Sequence, residues 1–190
     1  MSDHSDTYRR GGRVRFKAPV LKTGGPQGPA SSNLAPSAIF TSIDMADVFY
    51  PLILLANALW FGSAFWYFAL KRSTAAKLLI PRSARSSPIF PTMEAALPFL
   101  GGMNLALSLL ALTLLLRLDL FAAPAEQAIL LFAFAIAHAS QFAINVPVAL
   151  RGGRIGESYW DVTSGPMFFI FVVDALMTVL DLACAAYLYA

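Results

Sequence analysis

The 190-residue chain is long enough for one domain, and its net charge of +3 comes from basic residues that flank long apolar segments. Hydrophobic residues make up 57% and charged residues only 13%, about half the ~25% typical of a soluble domain. With Cys184 as the only cysteine, this composition argues against a soluble enzyme, a disordered protein, a disulfide-stabilised secreted domain and a nucleic-acid-binding protein.

Residues 1–46 form a polar segment rich in Gly, Pro and Ser. Such a segment cannot bury enough apolar surface to offset the entropy of ordering, so we expect an arm that is flexible or held by a partner. The first apolar run begins near Val48 and is too long for the core of a signal peptide. Two roles are open for the basic residues of this arm, which are Arg9, Arg10, Arg13, Arg15 and Lys17. They can belong to a solvated tail, or they can contact a partner protein or anionic lipid headgroups.

Four charge-poor stretches follow, over residues 48–70, 95–116, 128–150 and 165–188. About 20 residues cross the hydrocarbon as a helix, and a backbone in lipid must satisfy its own hydrogen bonds. Because the connections are short, successive helices should run antiparallel. The sequence therefore predicts an all-α, polytopic membrane protein in which residues 47–190 form an antiparallel bundle of four transmembrane helices.

The connections differ in charge, which predicts how the bundle is oriented. Loops 71–94 and 151–164 carry seven Lys and Arg residues, whereas the opposite side has only Arg117 close to a span. The positive-inside rule places these two loops in the cytoplasm and both termini on the other side. Trp66 and Trp160 mark one membrane interface and are candidates for lipid or partner contact.

Polar residues within the spans share helix faces, as their spacing indicates. The members of this predicted buried cluster are Asn104, His138, Gln141, Asn145, Asp174, Thr178 and Asp181. Counting depth from the loops places Asn104, Gln141 and Asp174 in one layer, with His138 one turn deeper. The same count places Asp181 near the level of Asn57 on the first span.

Two interpretations of this cluster are open. Polar side chains can hold helices together by hydrogen bonds of ~0.6–2 kcal/mol each, or they can form a proton relay or ligand site. His138 lies between small residues and is a candidate ligand for haem or for a chlorophyll-type pigment, although His4 in the arm is the only other histidine. We otherwise predict no cofactor and no metal site, and we expect bound lipids. Gly102 and Ala106 are small residues spaced four apart, a pattern that predicts close helix packing.

Four stretches of the chain resemble the small four-helix scaffold proteins of ergosterol biosynthesis: ALPFLGGMNLALSLLAL, FAIAHASQFAIN, RGGRIGE and SGPMFFIF. The resemblance covers roughly residues 49–177. It implies a non-catalytic tether that holds membrane enzymes together, with His138 and Gln141 at the positions carried over. Where the family has Glu after the third-span His, this chain has Gln141 nearest.

Three functions remain open from the sequence. The first is a non-catalytic accessory subunit that packs against other integral membrane proteins and lipids in a larger complex, such as a respiratory or photosynthetic assembly. The second is a sterol-type enzyme scaffold. The third is a small transporter or proton-coupled membrane enzyme that uses His138, Asp174 and Asp181.

Overall fold

The computed structural model describes residues 45–152 and 162–190, in which helices are joined by turns and no strand occurs. Four helices are long and apolar enough to cross a membrane. They are α1 (Met45–Phe65, extended to Leu70 by a π-helical turn), α3 (Phe90–Leu116), α4 (Pro124–Leu150) and α5 (Gly165–Tyr189). A short helix, α2 (Arg72–Leu79), precedes α3. The predicted four-helix transmembrane bundle is thus confirmed, and the protein has the architecture of a multi-pass membrane protein.

The first three long helices begin three to five residues before the predicted spans, because the predicted spans exclude the charged residues near the helix starts. Asp47 of α1 and Glu126 of α4 lie in first turns, where the helix dipole favours a carboxylate. The predicted arm lies outside the described residues, except that Met45 and Ala46 open α1.

The first predicted loop, 71–94, contains structure of its own. Helix α2 packs against α3 and the π-helical turn, and it buries Ala75 and Ala76 against Leu97. Arg72 lies 3.9 Å from Glu94, which links α2 to the first turns of α3. The result is a short helix at one end of the bundle with basic residues on its exposed side.

Helices α1 and α3 form one packed pair, α4 and α5 form another, and α1 also contacts α5. Across the first pair, the Ser108 hydroxyl donates to the Ala58 carbonyl at 2.8 Å. Gly101 approaches Ala69 so closely that an added Cβ would lie 2.8 Å from the Ala69 nitrogen. Gly102 has open space around it, so close packing depends on Gly101 and not on the predicted Gly102 position.

Candidate functional site

His138 of α4 lies at the centre of a buried network that joins three helices. Its Nδ1 is 3.1 Å from Oδ1 of Asp174 on α5, and its Nε2 is 3.0 Å from Oδ1 of Asn57 on α1. The imidazole stacks on the Phe61 ring with 4.6 Å between centroids. His138, Asn57 and Asp174 are fully buried, so these contacts lie in the interior of the membrane-spanning bundle.

The side-chain amide of Asn57 fixes the role of one histidine nitrogen. Its Nδ2 donates to Oδ1 of Asp181 at 2.8 Å and to the Ile53 carbonyl at 3.0 Å. Both amide hydrogens are therefore used, and Oδ1 of Asn57 can only accept. It follows that the histidine nitrogen facing it, Nε2 of His138, carries a hydrogen and donates.

The two aspartates each have one bonded and one unbonded oxygen. Oδ1 of Asp174 also accepts from the indole N–H of Trp60 at 2.9 Å. Oδ2 of Asp174 and Oδ2 of Asp181 have no hydrogen-bond partner in the described part of the chain. The latter oxygen lies 3.9 Å from Nε2 of His138. Because buried polar atoms are almost always hydrogen-bonded, the two oxygens mark a site with unused acceptor capacity.

A cavity of about 520 Å³ lies beside this network, at the end of the bundle where α2 packs. Its wall is mainly aromatic and aliphatic and includes Tyr67, Phe68, Leu78, Leu79, Met167, Phe169 and Ile170. Three amides, those of Asn104, Gln141 and Asn145, add polar groups to this wall. Trp60 belongs to both features, since it lines the cavity while its N–H bonds Asp174.

The structure brings together three of the predicted cluster residues, His138, Asp174 and Asp181, and it adds Asn57 and Trp60. The bond between Asn57 and Asp181 agrees with the depth count, which placed them at one level.

The remaining predicted residues lie elsewhere. Asn104 donates to the Leu100 carbonyl and lines the cavity with Gln141 and Asn145, instead of joining the layer expected with Asp174. Thr178 donates to the carbonyl of Asp174 within α5. Spacing along a helix does not fix the rotation of the helix about its axis, so residues expected in one layer are divided between the network and the cavity wall.

Trp60 belongs to the network but was not predicted to do so from the sequence. Tryptophan usually marks membrane interfaces, whereas Trp60 lies well inside the first span. The available signal was its spacing of three residues from Asn57, which puts both on one helix face.

Trp66, a candidate for lipid or partner contact, is 53% exposed. The other candidates of that kind lie outside the described residues: Arg9, Arg10, Arg13, Arg15, Lys17 and Trp160.

The geometry of His138 does not fit the tetrapyrrole prediction. Both ring nitrogens face hydrogen-bond partners within 3.1 Å, and Phe61 covers one face of the ring. A metal at either nitrogen would have to displace a network partner. Across residues 45–152 and 162–190, no group of three potential metal ligands is placed to hold an ion.

Fold and site together define a four-span membrane protein with a buried ionisable network beside an apolar cavity. No protein-family model, curated protein or solved structure matches the chain.

Proposed function

We propose that the protein is an accessory membrane protein that holds an anionic, lipid-like amphipath in the cavity at the α2 end of its bundle. The cavity carries this proposal. Its volume of about 520 Å³ falls within the ~300–1,000 Å³ of typical ligand sites. A mostly apolar wall with a few amides is also the usual composition of such sites.

The side chains of the wall suit a lipid chain that is joined to its headgroup by a polar linkage. Aromatic and aliphatic side chains such as Phe68, Leu79 and Ile170 can surround an acyl or isoprenoid chain. The amide of Gln141 can donate to an ester or carbonyl oxygen where the chain meets its headgroup.

The charge at this end of the bundle supports an anionic headgroup. Lys71, which immediately precedes α2, and Lys77 within α2 are both exposed. Leu78 of the same helix lines the cavity. A basic residue near an anionic membrane surface contributes ~1 kcal/mol of attraction. In our proposal the loops 71–94 and 151–164 face the cytoplasm, where anionic lipids are common, and the termini face the opposite side.

The test compares lipid retained after gentle purification by the full-length protein and two variants. Ala64→Phe fills the cavity from α1, and Ala106→Phe adds the same ring at an exposed position of α3 that does not line it. We expect Ala64→Phe to lose most of the lipid seen by native mass spectrometry and Ala106→Phe to keep it. Equal retention by the two variants would contradict the proposal.

A second comparison addresses the headgroup. Replacing Lys71 and Lys77 by Gln should abolish a preference for phosphatidylglycerol over phosphatidylcholine among the lipids that the protein retains after purification from membranes containing both. A preference that survives both substitutions would show that the headgroup is recognised elsewhere.

The accessory role itself is proposed from the polar N-terminal segment and its basic residues. Deleting residues 1–40 should weaken recovery of partner membrane proteins in mild detergent while leaving the unfolding of the transmembrane bundle in detergent unchanged. Unchanged co-purification counts against a partner-binding arm. If membrane enzymes of sterol metabolism are the proteins recovered, the scaffold alternative is favoured over a subunit of a respiratory or photosynthetic complex.

A further inference from the structure

The hydrogen-bond pattern around His138 allows its protons to be counted. Nε2 must donate to Asn57, because both amide hydrogens of Asn57 are already used. Nδ1 faces Oδ1 of Asp174 at 3.1 Å, and this contact is attractive only when one proton lies between the two atoms. That proton belongs to the carboxyl group or to the imidazole, and in both cases the pair has no net charge.

We propose that His138 and Asp174 form an intramembrane proton-binding site whose occupancy is transmitted to Trp60. With the proton bound, Asp174 Oδ1 is engaged by both His138 and Trp60. When the proton leaves to water, the pair carries one negative charge and a nitrogen lone pair faces a carboxylate oxygen. The Nδ1–Oδ1 contact then opens, and the Trp60 N–H is the remaining side-chain donor to that oxygen in the described network.

This proposal does not depend on what the cavity holds. Trp60 forms part of the cavity wall, so a shift of its indole changes the shape of the cavity whether or not a lipid occupies it. The unpartnered Oδ2 atom of Asp174 is fully enclosed and can accept a further hydrogen bond as the network rearranges.

Other ionisable groups around the pair belong to the neighbouring helices. On α5, Asp181 approaches Nε2 of His138 to 3.9 Å, and the Cys184 thiol lies in the adjoining apolar core with Tyr50 of α1. Helix α3 contains a single ionisable side chain, Glu94, which pairs with Arg72 at the end of the bundle. Among the described residues, Asp181 is therefore the ionisable group closest to the pair.

Tryptophan fluorescence can report proton binding in the full-length protein. The chain has three tryptophans, and replacing Trp66 and Trp160 by Phe leaves Trp60 as the sole emitter. In lipid nanodiscs between about pH 4 and pH 10, the range that covers carboxyl and imidazole titration, the emission should follow a single-proton transition. Asp174→Asn should abolish that transition, and Asp119→Asn, outside the spans, should leave it unchanged. A flat emission profile in the Trp60-only protein, or the same transition in Asp174→Asn, would overturn the proposal.

A second measurement avoids changing the network. His4→Gln leaves His138 as the only histidine, and ¹⁵N chemical shifts then report each ring nitrogen separately. Nε2 should stay protonated across the same range, while the Nδ1 shift changes together with the Trp60 emission because Nδ1 loses either its own proton or the hydrogen bond from the Asp174 carboxyl. A neutral form protonated on Nδ1, or a histidine whose shifts never change with pH, would refute the assignment.

Discussion

Removing the Asn57 side chain should weaken the network and leave the cavity intact, so this change distinguishes the role of the network from that of the cavity. Asn57→Ala deletes two hydrogen bonds between helices, one to Asp181 and one to His138. Interhelical hydrogen bonds in membranes contribute ~0.6–2 kcal/mol each, so the free energy of unfolding should fall by about 1–4 kcal/mol.

The matched control is Asn104→Ala, which also truncates a buried asparagine. Asn104 donates to the Leu100 carbonyl of its own helix, so its loss removes no bond between helices of the network. It does line the cavity, whereas Asn57 does not. We therefore expect opposite profiles: Asn57→Ala loses stability and keeps lipid, and Asn104→Ala keeps most of its stability and loses lipid affinity.

Unfolding can be followed by circular dichroism as sodium dodecyl sulfate is added to protein in mixed micelles. Lipid retention can be measured by native mass spectrometry on the same preparations. If the two variants lose the same free energy of unfolding, the bonds made by Asn57 do not join the helices as described.

Two further predictions concern contacts outside the network and the cavity, one between helices and one in a connection. Gly101→Ala should lower the free energy of unfolding by about 1–3 kcal/mol, because its Cβ would overlap the Ala69 backbone. Gly102→Ala should leave that free energy unchanged, because a Cβ at Gly102 meets no atom within 4 Å. Equal losses for the two variants in the same detergent titration would contradict this packing. In the α3–α4 connection, hydrogen bonds of 3.0 and 2.9 Å from the Arg117 guanidinium hold the pKa of the Asp119 carboxyl below its usual value. This lowered pKa means that the stabilisation is present above the ordinary Asp pKa and disappears as pH falls through the lowered one. Arg117→Gln should return the Asp119 pKa to the ordinary range in a carboxyl NMR titration, and an unchanged midpoint would show that the pair does not form.

The spans could be predicted because a bilayer imposes a length and excludes charge, and both properties are visible in the sequence. For Asn57 and Asp181, counting residues from the loops gave the same level, and the two side chains are bonded to each other. The rotation of each helix was not predictable, and so Asn104 was expected beside Asp174 but lies on the cavity wall. Rotation depends on close contacts such as the one between Gly101 and Ala69. A single sequence does not show which residues meet in this way.

The network uses ionisable side chains at positions where amides would be less costly to bury. An aspartate at the centre of a span costs ~2.5–3.5 kcal/mol on insertion scales, and the two bonds of Asp174, to His138 and Trp60, return a comparable amount at ~0.6–2 kcal/mol each. An asparagine at position 174 could accept from Trp60 at a smaller desolvation cost, yet it could not exchange a proton with His138. The bonds to Asn57 and Trp60 explain how the helices stay in register. In our proposal the carboxyl and imidazole groups serve to hold a proton, and the pH response of Trp60 therefore discriminates better than stability does between a structural network and a proton-binding one.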